Sequence, residues 1–489
     1  MQNTTPLFPG FHLPTLRRKP RSERQILAQK MAAIKHKSLS QLGDCLGKFI
    51  PIHYLLPSQT GSLSRRRLFS KENTFWAFLS QVLDADGGCQ EVVRKAQAVA
   101  ALKSLPIPSS STAAYCRARQ KLDQSELEAI LDHTILPFEQ TVPSTRMSNR
   151  RVVVVDGTGL STPDTPDNQE VWPQQKHQTP GCGFPQVRIC ACFCLRTGVL
   201  LSYKIGNKKS SELPLLREQW GTFREGDIFL GDKGFCSYFD VFSFKDRGVD
   251  SVITLARRIP ANDSDSVKVL GENDLLMKWI KPKWHKQASY SKGEWNNLPK
   301  ELLLRQIKVL VNQPGFRTKS FYIITTLLDA EEYPASEIAD LYFQRWDVEL
   351  YIRDIKTTMG MDILRCKNPD MVRKEIVMHF IAYNCIRRLM VESMKRKGLT
   401  ERRVSFKGSV QAIRQWEPHL IQININRDQQ IRFLAALYDS IANCIVPERP
   451  GRREPRCVKR RPKPYQLLAK PRNEMIETQH RGKYHAKAA

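Results

Sequence analysis

The chain is predicted to be an α/β protein flanked by helical regions, and three stretches carry that prediction. RVVVVD at residues 151–156 is a short β-branched run ending in an acid, DIFLGD at 227–232 is another short strand-like run ending in an acid, and an amphipathic pattern at 336–360 follows them. Short apolar runs bounded by turn signals fit buried strands, whereas apolar residues recurring with a period near 3.6 fit a helix packed on a core.

In chain order, residues 1–148 read as a helical, basic region. Segment 16–42 joins a basic opening to a helical pattern, which suits either a solvated amphipathic helix or DNA contact. Helices are expected near 74–83, 89–102, 111–122 and 125–142, separated by breaks such as Asp86-Gly87-Gly88 and Pro106-Ile107-Pro108. The last two helices resemble a helix-turn-helix, with Arg117, Arg119 and Lys121 on the first. Paired amphipathic helices are common in any helical domain, so that geometry alone does not establish DNA binding.

The strand at 151–156 places Asp156 at its carboxyl end, where α/β proteins bind ligands, although an Asp in that position also serves simply to start a turn. Strands at 187–195 and 199–205 flank the hairpin turn Arg196-Thr197-Gly198. A helix at 211–223, capped by Ser211, leads to the strand at 227–232 that ends in Asp232. A helix at 237–248 and a strand at 251–256 follow. Three strands, helix, strand, helix, strand and a late helix is the order of a ribonuclease-H-like fold. In that fold the first and fourth strands are neighbours, so Asp156 and Asp232 should lie side by side.

Between this core (149–258 and 320–368) lies a segment, 259–319, with strand-like pieces at 267–270 and 302–311 and with Trp279, Trp284 and Trp295 among many lysines. It reads as a β-rich insertion. Residues 369–446 read as a helical C-terminal region, with helices at 371–396, 409–416 and 429–444. The tail at 447–489 is basic and rich in Pro and Arg, a composition expected to stay extended until bound.

Composition narrows the function. Lys and Arg number 77 against 49 Asp and Glu, a formal charge of +28, which favours a polyanionic partner, with nucleic acid leading. The chain has no apolar run long enough to span a bilayer and no secretory signal at Met1, so a cytoplasmic protein without membrane contact is expected. Its 12 cysteines include no Cys-x2-Cys pair, and Cys190, Cys192 and Cys194 alternate along one strand face as small buried hydrophobes.

Within 336–360, Leu341, Val348, Ile352 and Ile355 form the apolar stripe, while Tyr342, Arg345, Glu349 and Lys356 fall within a sector of about 60° on a uniform helix. Mixed charges also mark an ordinary solvated helix, so spacing leaves both readings open. The pattern Tyr342-x2-Arg345-x3-Glu349-x6-Lys356, however, resembles the Y-R-E-K signature of bacterial cut-and-paste transposases of the fourth insertion-sequence family, whose catalytic acids are Asp, Asp and Glu. The blocks DGTGLSTPDTPDNQ from Asp156, PGCGFPQVR from Pro180, GDKGF from Gly231 and RPKPYQLLAKPR from Arg461 are similar to the same family, in the same order.

The resemblance implies a DNA transposase with Asp156, Asp232 and Glu349 as metal-binding catalytic acids. Tyr342, Arg345 and Lys356 would position double-stranded DNA. It implies two Mg²⁺ ions, with Mn²⁺ able to substitute, and Asp156 is assigned to the bridge between them. Residues 1–148 would be the DNA-binding region that recognises the terminal inverted repeats; those repeats and target DNA would be the partners, and the chain would act as a homodimer in the DNA complex, nucleoid-associated when bound. An aromatic residue of the insertion would receive a flipped base, with no choice among the three Trp residues. Lys233 stands where many relatives have Arg and is left out of the site. A transposase-derived DNA-binding protein without catalysis and a structure-selective nuclease of the same fold are the alternatives.

Overall fold

A computed structural model describes residues 42–447 except 59, 65–66, 103, 136–146, 208–209, 256–267, 286–289, 312–319, 399–403 and 423–426, together with 468, 470, 471 and 474. The expected segment 16–42 and the basic tail therefore lie almost wholly outside the described residues. The chain divides into two compact units, Met1–Pro137 with Val377–Ile445, and Phe138–Ile376 with Val446–Ala489.

The first unit is helical. Its helices include Lys71–Leu83, Cys89–Leu102, Ala113–Gln120, Gln124–Ile135, Phe406–Gln422, Arg427–Asn443 and, from Val377, the greater part of Pro369–Arg396. The Lys71–Leu83 helix starts where the Ser70 side chain accepts the Asn73 amide, and all of its residues are buried. Phe69, Ala77, Val92, Ala96, Tyr115 and Ala118 form one apolar cluster around it. Arg119, expected on the first helix of that pair, is there and buried: its Nη1 donates to Gln81 Oε1 at 3.1 Å and its guanidinium stacks on Phe78.

The second unit is built on one nine-stranded sheet. Its strands are β1 (Val152–Ser161), β2 (Gln186–Cys194), β3 (Leu200–Asn207), β4 (Ile228–Gly231), β5 (Asp250–Leu255), β6 (Lys268–Gly271), β7 (Asp274–Ile280), β8 (Glu301–Leu310) and β9 (Ser320–Thr325). The spatial order is β3-β2-β1-β4-β5-β9-β8-β7-β6. β1 pairs antiparallel with β2 and parallel with β4, and β4 pairs parallel with β5. The β3-β2-β1-β4-β5 half is the ribonuclease-H-like arrangement expected from the element order. Cys190 and Cys192 are buried on β2, and burial pushes the Cys192 thiol up to about 12, which suits apolar packing and not thiolate chemistry.

Two local differences from the sequence reading have physical causes, and the structure adds where the insertion's strands go. β1 does not end at Asp156 but runs on to Ser161; only its first residues pair with β4, and the remainder is held by β2 alone. The helix expected at 211–223 is a short helix, Glu212–Arg217, followed by a separate turn at Trp220–Thr222, and Ser211 caps it without a side-chain hydrogen bond. The insertion does not form a sheet of its own. Antiparallel β9 beside β5 leaves an open edge, which β8 covers, and β7 and β6 extend the same ladder.

A buried ion pair anchors that extension. Arg305 on β8 has no exposed surface, grips Asp274 on β7 with two nitrogens, and donates from Nη1 to the Tyr333 carbonyl at 2.6 Å. Removing one partner of a buried pair strands the other charge away from water. Asp274→Ala should therefore lower unfolding stability by about 3–5 kcal/mol in a urea titration, whereas replacing the exposed pair Lys278 and Glu301 on the same two strands should change it by less than about 1 kcal/mol.

Candidate active site

Strand pairing brings the two aspartates together. Val154 on β1 is in register with Leu230 on β4, and two residues further along each chain stands an acid, Asp156 and Asp232. Parallel neighbours advance at the same rise, so equal offsets keep both residues level across the pair. Asp232 caps the turn Lys233–Phe235, its Oδ1 accepting the Gly234 amide at 2.7 Å, while Asp156 Oδ1 accepts the Gly157 amide at 2.8 Å. Burial pushes Asp156 up to about 6; Asp232 and Glu212 raise it further, and the Gly157 amide and Arg345 oppose them.

The run at 336–360 is not one uniform helix. It is an α-helix at Ala335–Phe343, a 3-10 turn at Gln344–Trp346, an α-helix at Asp347–Arg353 and a π-helical turn at Asp354–Thr358, ending at Gly360 with φ +74°. A 3-10 turn tightens the winding and a π turn loosens it, so a constant angle per residue does not hold along this run. The apolar stripe nevertheless packs as expected at Leu341, Val348 and Ile355, all buried, while Ile352 is only half-buried.

The four candidate residues of this run therefore divide. Tyr342 is buried, its hydroxyl 2.8 Å from Thr254 Oγ1 on β5, and burial raises its pKa. The Arg345 side chain is also buried; Nη2 lies 3.4 Å from Glu349 Oε1, its guanidinium stacks over Trp346, and Nε has no partner among the described residues. Glu349 is 45% exposed. Lys356 donates from Nζ to the Gly159 carbonyl of β1 at 2.9 Å, so it fastens the π turn to the strand that carries Asp156.

Arg345 is thus the shared neighbour of the acids. It bonds Glu349 directly and lowers the pKa of Asp156 electrostatically. Among the described residues no three His, Cys, Asp or Glu side chains are close enough together to hold one metal ion. Asp156 and Asp232 are brought together; Glu349 is held one guanidinium away. Lys233 is exposed beside Asp232.

Two features of the site were not recognised from the sequence. Glu212 lies against β1 from the neighbouring helix: a Cβ at Gly157 would fall 2.0 Å from its Oε1, and the same oxygen accepts from Arg188 at 3.1 Å. Glycine follows Asp156 because a side chain would displace that carboxylate. Asn168, fully buried, donates to the Pro163 and Cys366 carbonyls at 3.1 and 3.2 Å, while Thr165 Oγ1 donates to the Lys367 carbonyl. With the bridge between Ser161 and Ile363, these bonds tie the end of β1 to the chain just beyond the Glu349 run. The motif DGTGLSTPDTPDNQ contained the signal, but nothing in it indicated a partner about 200 residues away. Of the three Trp residues, Trp295 is buried against Tyr238 and Tyr290, whereas Trp279 and Trp284 are half-buried.

The raised pKa of Asp156 has a stability consequence. Its value in the folded chain, about 6, exceeds the ordinary 3.8, so ionisation opposes folding. The penalty is absent below the ordinary value and complete once pH has risen through 6. Without divalent metal, Asp156→Asn should be more stable than wild type at pH 8, by about 2 kcal/mol, and the two melting curves should converge near pH 4.

The chain was compared with known proteins. A family model described as the transposase DDE domain matches residues 147–385, a span that contains β1 to β9 and all three candidate acids. The chain is 27% identical over 440 residues to the transposase InsG for insertion sequence element IS4 of Escherichia coli strain K12, covering 88% of this chain and 94% of that protein. A shorter match, 33% over 60 residues, relates 12% of this chain to 16% of the transposase for insertion sequence element IS421 of Escherichia coli. A piggyBac transposase in its synaptic complex with hairpin DNA, solved by cryo-electron microscopy, overlaps 86% of each chain at 12% identity with a TM-score of 0.40. The chain belongs to the DDE transposases, in the IS4 family.

Proposed function

We propose that this transposase cuts the ends of its insertion sequence and joins the freed 3′ ends to target DNA, with Asp156, Asp232 and Glu349 as the metal-binding acids. The observation that supports this most strongly is the β1–β4 register, which sets two carboxylates side by side, with Arg345 linking them to a third. Burial, with Asp232 and Glu212 nearby, disfavours the charged form of Asp156, a penalty that a cation would offset, and hard carboxylate oxygens are the donors that Mg²⁺ prefers. When bound, a pair of Mg²⁺ ions, or Mn²⁺ in their place, offsets charge at the scissile phosphate and favours loss of a proton from the attacking oxygen.

The chain's own residues hold the substrate and the acids. In cleavage, a water oxygen bonds to phosphorus and the 3′ oxygen departs, leaving a 3′-hydroxyl. In joining, that hydroxyl attacks a phosphodiester of the target, and the target's own 3′ oxygen leaves. Arg345 is assigned to the DNA backbone; its guanidinium is buried beside Glu349, so this role requires Glu349 to turn from it towards the aspartates. Lys356 and Tyr342 support it, the first by fixing the run to β1 and the second by fixing it to β5. Terminal inverted repeats and target duplex are the partners in this reading, with two copies of the chain in the DNA complex. The helical opening, the basic tail and the domain limits at 148, 258, 319, 368 and 446 keep the assignments given from the sequence.

No helix among the described residues is long and apolar enough to cross a membrane. Glu349→Gln should abolish Mg²⁺-dependent cleavage of a duplex ending in the inverted repeat that flanks the coding sequence, while binding of that duplex persists. Retained cleavage would remove Glu349 from the site. Wild-type protein should also join a precut 3′ end to a second duplex, and cleavage without joining would favour a nuclease of the same fold.

A further inference from the structure

The edge of β1 that faces β4 is left uncovered beyond the aspartates. β4 pairs with residues 152–154, and the next attachment on that side is the bridge from Ser161 to Ile363, where the Ser161 amide donates to the Asp362 carbonyl at 3.0 Å and the Leu364 amide donates to the Ser161 carbonyl at 2.9 Å. Among the described residues no strand pairs with this edge between Asp156 and Ser161. The sheet therefore has a notch, with the two aspartates at one end and the Ser161 bridge at the other.

Strand geometry decides what lines the notch. Alternate residues of a strand direct their amide and carbonyl to the same edge, and β1 keeps an unbroken register with β2 from Val153 to Ser161. Val152 turns to the β2 side, since its carbonyl accepts the Leu195 amide, whereas the Arg151 carbonyl accepts the Ile228 amide at the start of β4. Gly157 and Gly159 share the parity of Arg151 and Ser161, so their backbone groups face the notch. Two of these groups are engaged: the Gly157 amide donates to Asp156 Oδ1 at 2.8 Å, and the Gly159 carbonyl accepts Lys356 Nζ at 2.9 Å. The Gly159 amide has no partner among the described residues, and Gly159 is exposed.

We infer that the Gly159 amide is a further substrate contact: with the Lys356 ammonium it seats one phosphate of the DNA end, at the far side of the notch from the aspartates. A sheet edge with inward-pointing amides makes an anion-binding concavity, and backbone N–H groups are regular partners of DNA phosphates. An ammonium carries three hydrogens and the Gly159 carbonyl takes one, so Lys356 keeps donors for the same anion. Gly159 stands three residues beyond Asp156, about 10 Å along the strand, which separates this phosphate from the one being cut and from the carboxylates that would repel it. Packing does not require the glycine: a Cβ at 159 would have the Val187 carbonyl, at 4.0 Å, as its nearest neighbour, whereas one at Gly157 would strike Glu212. The inference rests on the chain being a DNA transposase and adds a contact made by the backbone of the strand that carries Asp156.

The test measures duplex affinity by fluorescence anisotropy, with the full-length chain and its terminal repeat, either unmodified or carrying one uncharged methylphosphonate at each phosphate near the cleaved end in turn. Wild type is compared with Gly159→Ala, which keeps the amide, and with Gly159→Pro, which removes it. The proline variant should bind the unmodified duplex about tenfold more weakly, the worth of a hydrogen bond to a charged group. One methylphosphonate position should then cost it about tenfold less than it costs wild type, while every other position costs both proteins the same and the alanine variant follows wild type throughout. A proline variant that binds as tightly as wild type, or equal losses in both proteins at every position, would overturn the inference. If Gly159→Pro melts below the assay temperature, glycolic acid in place of Gly159, which exchanges the N–H for an ester oxygen, gives the same comparison. A wild type that binds its repeat but never cleaves it in Mg²⁺ would count against the transposase mechanism while leaving the affinity comparison intact.

Discussion

The parallel pairing of β1 with β4 is the constraint on which the site depends. It sets Asp156 and Asp232 at equal distance beyond a shared register, in surroundings that withhold enough water to raise the first of them. Two carboxylates placed so close repel, and folding must tolerate that repulsion. The protein does so by surrounding them with hydrogen bonds from the Gly157 and Gly234 amides and with the guanidinium of Arg345. The arrangement is poor for stability and suited to a divalent cation, a combination common at catalytic sites.

The second requirement is that the Glu349 run be held against that strand pair. Four attachments do so: Tyr342 to Thr254 on β5, Tyr351 Oη to the Leu195 carbonyl after β2, Lys356 to Gly159 on β1, and the Ser161–Ile363 bridge where the run has ended. They act on both ends and the middle of the run, so its 3-10 and π turns are fixed departures from α-helix and not loose ends. Glu349 itself is left 45% exposed, paired with Arg345 at 3.4 Å. The backbone is fixed while this one carboxylate has room to turn.

Much of this was legible in the sequence because it is local. The β-branched run at 152–155 announces a buried strand, and the acids at 156 and 232 are informative because each follows such a run. The apolar positions 341, 348 and 355 were read correctly for the same reason. What escaped was set by distant partners. Nothing local told that Arg119 would be enclosed by Gln81 and Phe78, or that Tyr342 would be buried against Thr254 of β5. The insertion was read as β-rich, but strand runs do not say which edge they join. Glu212 escaped because its effect on β1 is exerted through a missing side chain at Gly157.

The central claim is that three acids distant in sequence share divalent metal at one DNA end. Anomalous diffraction from Mn²⁺ in crystals of the wild-type protein bound to its terminal duplex tests it most directly. The account predicts manganese density in contact with Asp156 and Asp232, with the Glu349 carboxylate moved off Arg345 to join it. Manganese absent from the aspartate pair, or Glu349 still bonded to Arg345 beside a fully occupied metal, would contradict it.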